Sequence, residues 1–191
     1  MYRSEPDFLV PYKRNSYSEE MKAAALRVLD RGFDSWGYAG RGMEITFFEQ
    51  EFADYFDRKY AVMMESTIHT LYLFLKLHGV SGGDEVIIPP HIEPADAAAV
   101  VQAGAKPVFV DIEADTYNMD VAQLGERITD ATKVILPIHA QGHPTNMGPL
   151  LDLAEDHGLY VFEDCTHSLG GEYKGRKIPI GNAGVFGLSN K

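Results

Sequence analysis

From residue 60 onward the sequence alternates short runs of β-forming residues with segments long enough for a helix, and no other feature restricts the fold as much. The β-rich runs fall at 60–64, 85–88, 107–110, 133–137 and 160–162, and helical patterns fall at 68–78, 95–103, 121–128 and 147–157. Parallel neighbouring strands need crossover connections, so this succession predicts an α/β fold with a mainly parallel sheet covered by helices. Upstream, a helix is predicted over 19–31 with Ser18 as its N-cap. A second is predicted over 44–56, with Phe47, Phe48, Phe52 and Phe56 forming a core-facing side. Between them, Ser35-Trp-Gly-Tyr-Ala-Gly-Arg-Gly42 is loop.

A chain of 191 residues with 45% hydrophobic content can bury one substantial core. Its 17 basic residues are scattered among 28 acidic ones, for a net charge of -11, which argues against nucleic acid or an anionic membrane as a partner. The one cysteine, Cys165, cannot form an internal disulfide. The first residues lack an apolar signal core, and the richest apolar stretch, 97–105, is too short to span a bilayer. A soluble, cytoplasmic protein is the expectation.

In a parallel α/β sheet, ligands bind beyond the carboxyl ends of the strands. The loops to inspect are therefore Glu65-Ser-Thr67, Pro89-Pro-His-Ile-Glu93, His139-Ala-Gln-Gly142 and Glu163-Asp-Cys-Thr-His167. Glu163 and Asp164 follow an apolar strand, which puts at least one carboxylate in a partly buried position needing a partner. A helix cap, a structural ion pair, a magnesium ion or a cofactor nitrogen would each serve. Ser66 and Thr67 stand between a predicted strand and helix, where they could cap the helix or hold a phosphate. No glycine-lysine phosphate loop of the Walker type occurs. The seven histidines show no tight ligand pair, so no metal site is expected, and Cys165 is expected to be a packing residue.

The blocks Phe48-Glu-Gln-Glu-Phe-Ala-Asp-Tyr-Phe56, Gly83-Asp-Glu-Val-Ile-Ile-Pro89, Gly104-Ala-Lys-Pro-Val-Phe-Val-Asp111 and Glu163-Asp-Cys-Thr-His-Ser-Leu-Gly170, in this order, resemble the DegT/StrS family of sugar aminotransferases dependent on pyridoxal 5'-phosphate (PLP). The resemblance runs from about residue 32 onward. It implies a fold-type-I transferase that moves an amino group from an amino acid, glutamate or glutamine, to a keto-sugar or keto-cyclitol, working as a homodimer. Asp164 matches the carboxylate under the pyridine nitrogen, and His167 matches the position beside the cofactor ring. Ser66 and Thr67 fall in the phosphate-side turn, and Lys191 falls at or next to the Schiff-base lysine. Trp36, Tyr38 and Arg41 lie in a loop that, in the family, approaches the substrate.

Three positions depart from the family pattern. Ser66-Thr67-Ile68 stands where Ser-Gly-Thr is usual, Glu93 where an aromatic ring stacks on the cofactor, and Gly187 where a serine contacts phosphate if Phe186 is aligned. In that register the lysine would fall one position after Lys191; aligning on Lys191 instead puts Phe186 in the serine's place. The family continues into a smaller C-terminal domain. Residues 1–45 are thus expected to form an N-terminal segment and residues 46–191 the cofactor-binding large domain, without the small domain. A non-catalytic homologue acting as a partner subunit is the alternative reading.

Overall fold

The computed structural model describes residues 17–30 and 42–188. Two units divide the chain, Met1–Glu51 and Phe52–Lys191. In the first, the Ser18 hydroxyl accepts from the Met21 N–H at 3.1 Å, satisfying one of the open donors at the start of helix α1 (Glu19–Asp30). No residue of α1 is buried. Helix α2 (Met43–Tyr55) begins in the same unit. Its Phe47 is exposed, which corrects the expectation of a four-phenylalanine core face. Phe48, Phe52 and Phe56 repeat every four residues along one stripe, whereas Phe47 is turned about 100° away from Phe48.

The second unit is built on a parallel sheet. Helix α3 (Thr67–Leu77) precedes β1 (Glu85–Ile88), and α4 (Pro94–Gln102) carries the chain to β2 (Lys106–Phe109). A 3-10 helix (Val121–Arg127) leads to β3 (Thr132–Ile135), and α5 (Met147–Asp156) leads to β4 (Tyr160–Asp164). A small antiparallel hairpin of β5 (Glu172–Tyr173) and β6 (Arg176–Lys177) then intervenes before β7 (Ala183–Val185). The sheet order is β2-β1-β3-β4-β7, with every pairing parallel. This is the α/β architecture that the alternation predicts.

Two expected elements differ. Residues 60–64 form no strand, and Tyr60 and Val62 are exposed. The sheet ends at β2 and β7, and the segment pairs with neither edge. The helix expected over 121–128 is of the 3-10 type, begun by the Asp120 carboxylate, which accepts from the Ala122 N–H at 3.1 Å. Gly125 in its middle weakens the α-helical alternative. Strand β4 extends two residues further than its apolar run, and β7, visible in the sequence only as part of an apolar stretch, forms the second edge.

Strand residues alternate between two cores, one on each face of the sheet. Val86, Ile88, Val134 and Phe162 face Leu71, Phe74 and Leu75 of α3 and Ala99 and Val100 of α4. Ile87, Ile135 and Val161 face Met147, Leu150 and Ala154 of α5 and Leu124 of the 3-10 helix. Each fully buried Val, Leu, Ile or Met among them stabilises the fold by about 1.5–3 kcal/mol. Pro107 stands in the edge strand β2, where its missing N–H interrupts no interior ladder. On β7, a Cβ at Gly184 would come within 2.6 Å of the Pro179 Cβ and 3.1 Å of the Glu163 carbonyl oxygen, so only glycine fits there.

Two stability changes are expected in urea unfolding. Phe162→Ala, which empties the ring packed 4.7 Å from Phe74, should cost about 3–5 kcal/mol. Gly184→Ala should cost about 1–3 kcal/mol through overpacking, and an unchanged midpoint would show that β7 is not seated against Pro179.

Candidate active site

The chain lays β2 on one side of β1, then returns to place β3, β4 and β7 on the other. Sheets with such a reversal bind ligands in the crevice at the carboxyl ends of their strands. A cleft lies among the loops leaving those ends and the starts of α3 and α4, lined by Ser66, Thr67, Ile68, Glu93, Ala95, Asp96, Asp164, Thr166 and Gly187.

Asp164 is the last residue of β4 and only 3% exposed. Its Oδ1 accepts from the Thr166 N–H at 2.8 Å, a short-range turn that fixes the carboxylate as the chain leaves the strand. Among the described residues, none donates to Oδ2. Asp164 stands on the cleft wall, and a carboxylate oxygen there that is still able to accept forms its strongest hydrogen bond with a cationic N–H.

Helix α3 contributes a different property. Its N-cap Ser66 is in extended conformation and makes no side-chain cap, so neither that hydroxyl nor a cap neutralises the first-turn N–H groups. Those open donors and the positive end of the helix dipole favour an anion. The cleft thus presents a buried carboxylate and an anion-favouring helix start, two features that suit a ligand carrying a cationic nitrogen and a phosphate.

Of the residues singled out in the sequence, Ser66, Thr67, Glu93 and Asp164 line this one cleft, together with the departing positions Ile68 and Gly187. Glu93 is the N-cap of α4. His167 is exposed and is not among the lining residues. Lys191, Trp36, Tyr38 and Arg41 lie outside the described residues. Asp96 and Thr166 line the cleft without having been singled out. Thr166 was within reach of the sequence, since it stands two residues after a strand-terminal Asp, where such turns form.

Glu163 leaves β4 on the opposite face from Asp164 and is wholly buried. Its Oε1 accepts from the N–H of Ile180 at 2.7 Å and from that of Gly181, and its Oε2 is 2.9 Å from His139 Nε2. The Thr145 N–H donates to His139 Nδ1 at 3.1 Å, so Nδ1 carries a lone pair and Nε2 carries the proton given to Glu163. His139, Glu163 and Cys165 bring possible metal-ligating atoms within 4.8 Å of one another. They do not fit a metal, because the histidine and carboxylate atoms are committed to these hydrogen bonds. Burial, and then the negative charges of Glu163 and Asp164, push the Cys165 thiol well above its ordinary value, which keeps it protonated.

Residues 16–189 match the family model described as the DegT/DnrJ/EryC1/StrS aminotransferase family. The dTDP-3-amino-3,4,6-trideoxy-alpha-D-glucose transaminase of Streptomyces venezuelae is 38% identical over 86% of this chain and 43% of its own length. An aminotransferase from Psychrobacter cryohalolentis superposes with a TM-score of 0.84 at 36% identity, covering 90% of this chain and 43% of that one. A sugar aminotransferase of Streptococcus pneumoniae, solved in a PLP form, superposes with a TM-score of 0.78 at 28% identity, over 85% of this chain and 44% of that one. The chain spans about half the length of the relatives it matches. With its parallel sheet, its cleft at the strand ends and a match over most of its residues, this chain belongs to the DegT/DnrJ/EryC1/StrS aminotransferase family.

Proposed function

We propose that this chain binds PLP in the cleft at the carboxyl ends of its sheet and forms the cofactor-binding part of a sugar aminotransferase. Asp164 is the observation that carries the reading: a buried carboxylate at a strand end, with Oδ1 held by a turn and Oδ2 given no donor by the described residues. When bound, PLP supplies an electron sink that lets an amino group pass from an amino acid to a keto acceptor. Asp164 would hold the protonated ring nitrogen. The first turn of α3, with the hydroxyls of Ser66 and Thr67, would hold the phosphate. Lys191 would provide the amine that joins the cofactor, a role requiring a lysine that can lose its proton.

The amino donor on this reading is glutamate or glutamine, and the acceptor is a keto-sugar or keto-cyclitol. The protein works as a homodimer in the cytoplasm, with small molecules rather than nucleic acid or membrane as partners. The net charge of -11 supports the exclusion of nucleic acid, and no helix among the described residues is long and apolar enough to cross a membrane. Residues 46–191 make up the cofactor-binding domain.

Glu93 favours a second reading. It places a carboxylate on the cleft where the family resemblance calls for an aromatic ring, and a carboxylate offers no face for stacking. A homologue without cofactor chemistry, serving as a partner subunit, would tolerate that change. Titration of the purified protein with PLP, followed by absorbance, separates the two. The first reading expects saturable binding, weakened on the order of tenfold or more by Asp164→Asn, which keeps the shape and removes the charge. Ser66→Ala should weaken binding less, since the helix N–H groups remain. Absence of saturable binding would leave the partner-subunit reading in possession.

A further inference from the structure

The loop before β7 is held from both sides by buried or half-buried charge. On one side, Glu163 accepts from the N–H groups of Ile180 and Gly181. On the other, the Arg58 guanidinium donates to the carbonyl oxygens of Pro179 at 3.3 Å, Gly181 at 3.0 Å and Asn182 at 2.9 Å. The peptide unit joining Pro179 to Ile180 is gripped at both ends. Its oxygen faces the guanidinium and its N–H faces the carboxylate, so its dipole lies along the field between the two charges. Asn182 then ties the segment to β4 by exchanging hydrogen bonds with Val161: its N–H donates to the Val161 carbonyl at 3.0 Å, and its Oδ1 accepts from the Val161 N–H at 2.7 Å.

Strand β7 needs such help. It has three residues and, among the described residues, lies at the sheet edge and pairs only with β4, in the register Phe162↔Ala183, Glu163↔Gly184, Asp164↔Val185. A slip of one residue would turn its side chains to the opposite faces. The strand runs directly into Gly187, which lines the cleft with Asp164.

We propose that Glu163 and Arg58 are positioning residues that clamp the 179–182 segment and thereby set the exit of β7, with Gly187, against Asp164 in the cleft. Glu163 acts from the face of the sheet opposite Asp164, and neither Glu163 nor Arg58 lines the cleft. Glu163 must be an anion for the clamp to close. In Glu163→Gln the side chain keeps one acceptor oxygen and gains an NH2 group. Facing Oε1's amide partners with that NH2 sets donor against donor, and so does facing the His139 Nε2–H, whose tautomer is fixed by Thr145.

The test compares Glu163→Gln and Arg58→Met with the parent and with Leu150→Ala, a core truncation under α5 that serves as a control for lost stability. Amide hydrogen exchange reads the clamp without any ligand. Both clamp variants should speed exchange over 180–188 on the order of tenfold or more, relative to the amides of β1 and β3, whereas Leu150→Ala should show no such local excess. PLP titration reads the consequence for the cleft and rests on the proposed function. The dissociation constant should rise on the order of tenfold in both clamp variants and stay near the parent value in Leu150→Ala at matched melting temperature. Arg58→Lys, which keeps the charge but loses the fork to three carbonyls, should fall between parent and Arg58→Met. Unchanged local exchange overturns the proposal, and so does faster exchange with an unaltered PLP dissociation constant. If the parent binds no PLP, the functional reading fails while the exchange comparison still decides the clamp. Should Glu163→Gln not fold, Arg58→Met alone carries both measurements.

Discussion

Two adjacent carboxylates leave the end of β4 on opposite faces of the sheet, and the pleat that separates them organises everything around the cleft. Asp164 emerges among the starts of α3 and α4, where it lines a ligand-sized opening. Glu163 emerges on the side of α5, where His139 and two consecutive backbone amides consume its charge. Were β4 displaced by one residue, the two acids would exchange faces. The deeply buried pair would then lose its donors, and the cleft would lose its anchor. The strand is held against such a shift by Val161 and Phe162, each packed into a different core.

The division of labour follows from what each environment does to a charge. Glu163 is supplied with hydrogen bonds by the protein itself and needs nothing further. Asp164 is supplied at one oxygen only, and completing it is left to whatever enters the cleft. A family with PLP-dependent members and a helix start suited to phosphate give that carboxylate a chemical direction. Glu93 is the discordant element, because it adds negative charge to a wall where the family resemblance calls for a ring.

The sheet was legible in the sequence because its interior strands β1, β3 and β4 carry apolar residues buried on both faces, set between helical stripes. Glu93 and Asp164 were legible because they follow strand ends that can be located, beyond which ligands gather, whereas Ser66 and Thr67 were reached from a strand over 60–64 that does not form. What stayed hidden depends on contacts distant along the chain. Arg58 meets carbonyls 121 to 124 residues away, and no local pattern near Arg58 announces that. Likewise, His139 in its loop looks like any of the other histidines until the fold sets it against Glu163. The missing strand over 60–64 shows the converse. Its residue types favour a strand, but pairing depends on where the fold puts a segment, and 60–64 pairs with neither sheet edge.

Cys165, the residue after these two acids, gives the molecule one more property. It is the single sulfhydryl in the sequence, it is fully buried, and its surroundings hold it in the unreactive protonated form. Thiol-directed chemistry applied to the folded protein therefore meets almost no background. A cysteine introduced at any exposed site could carry a fluorophore or spin label without first removing the native one, and the strand that bears both carboxylates would remain as nature built it.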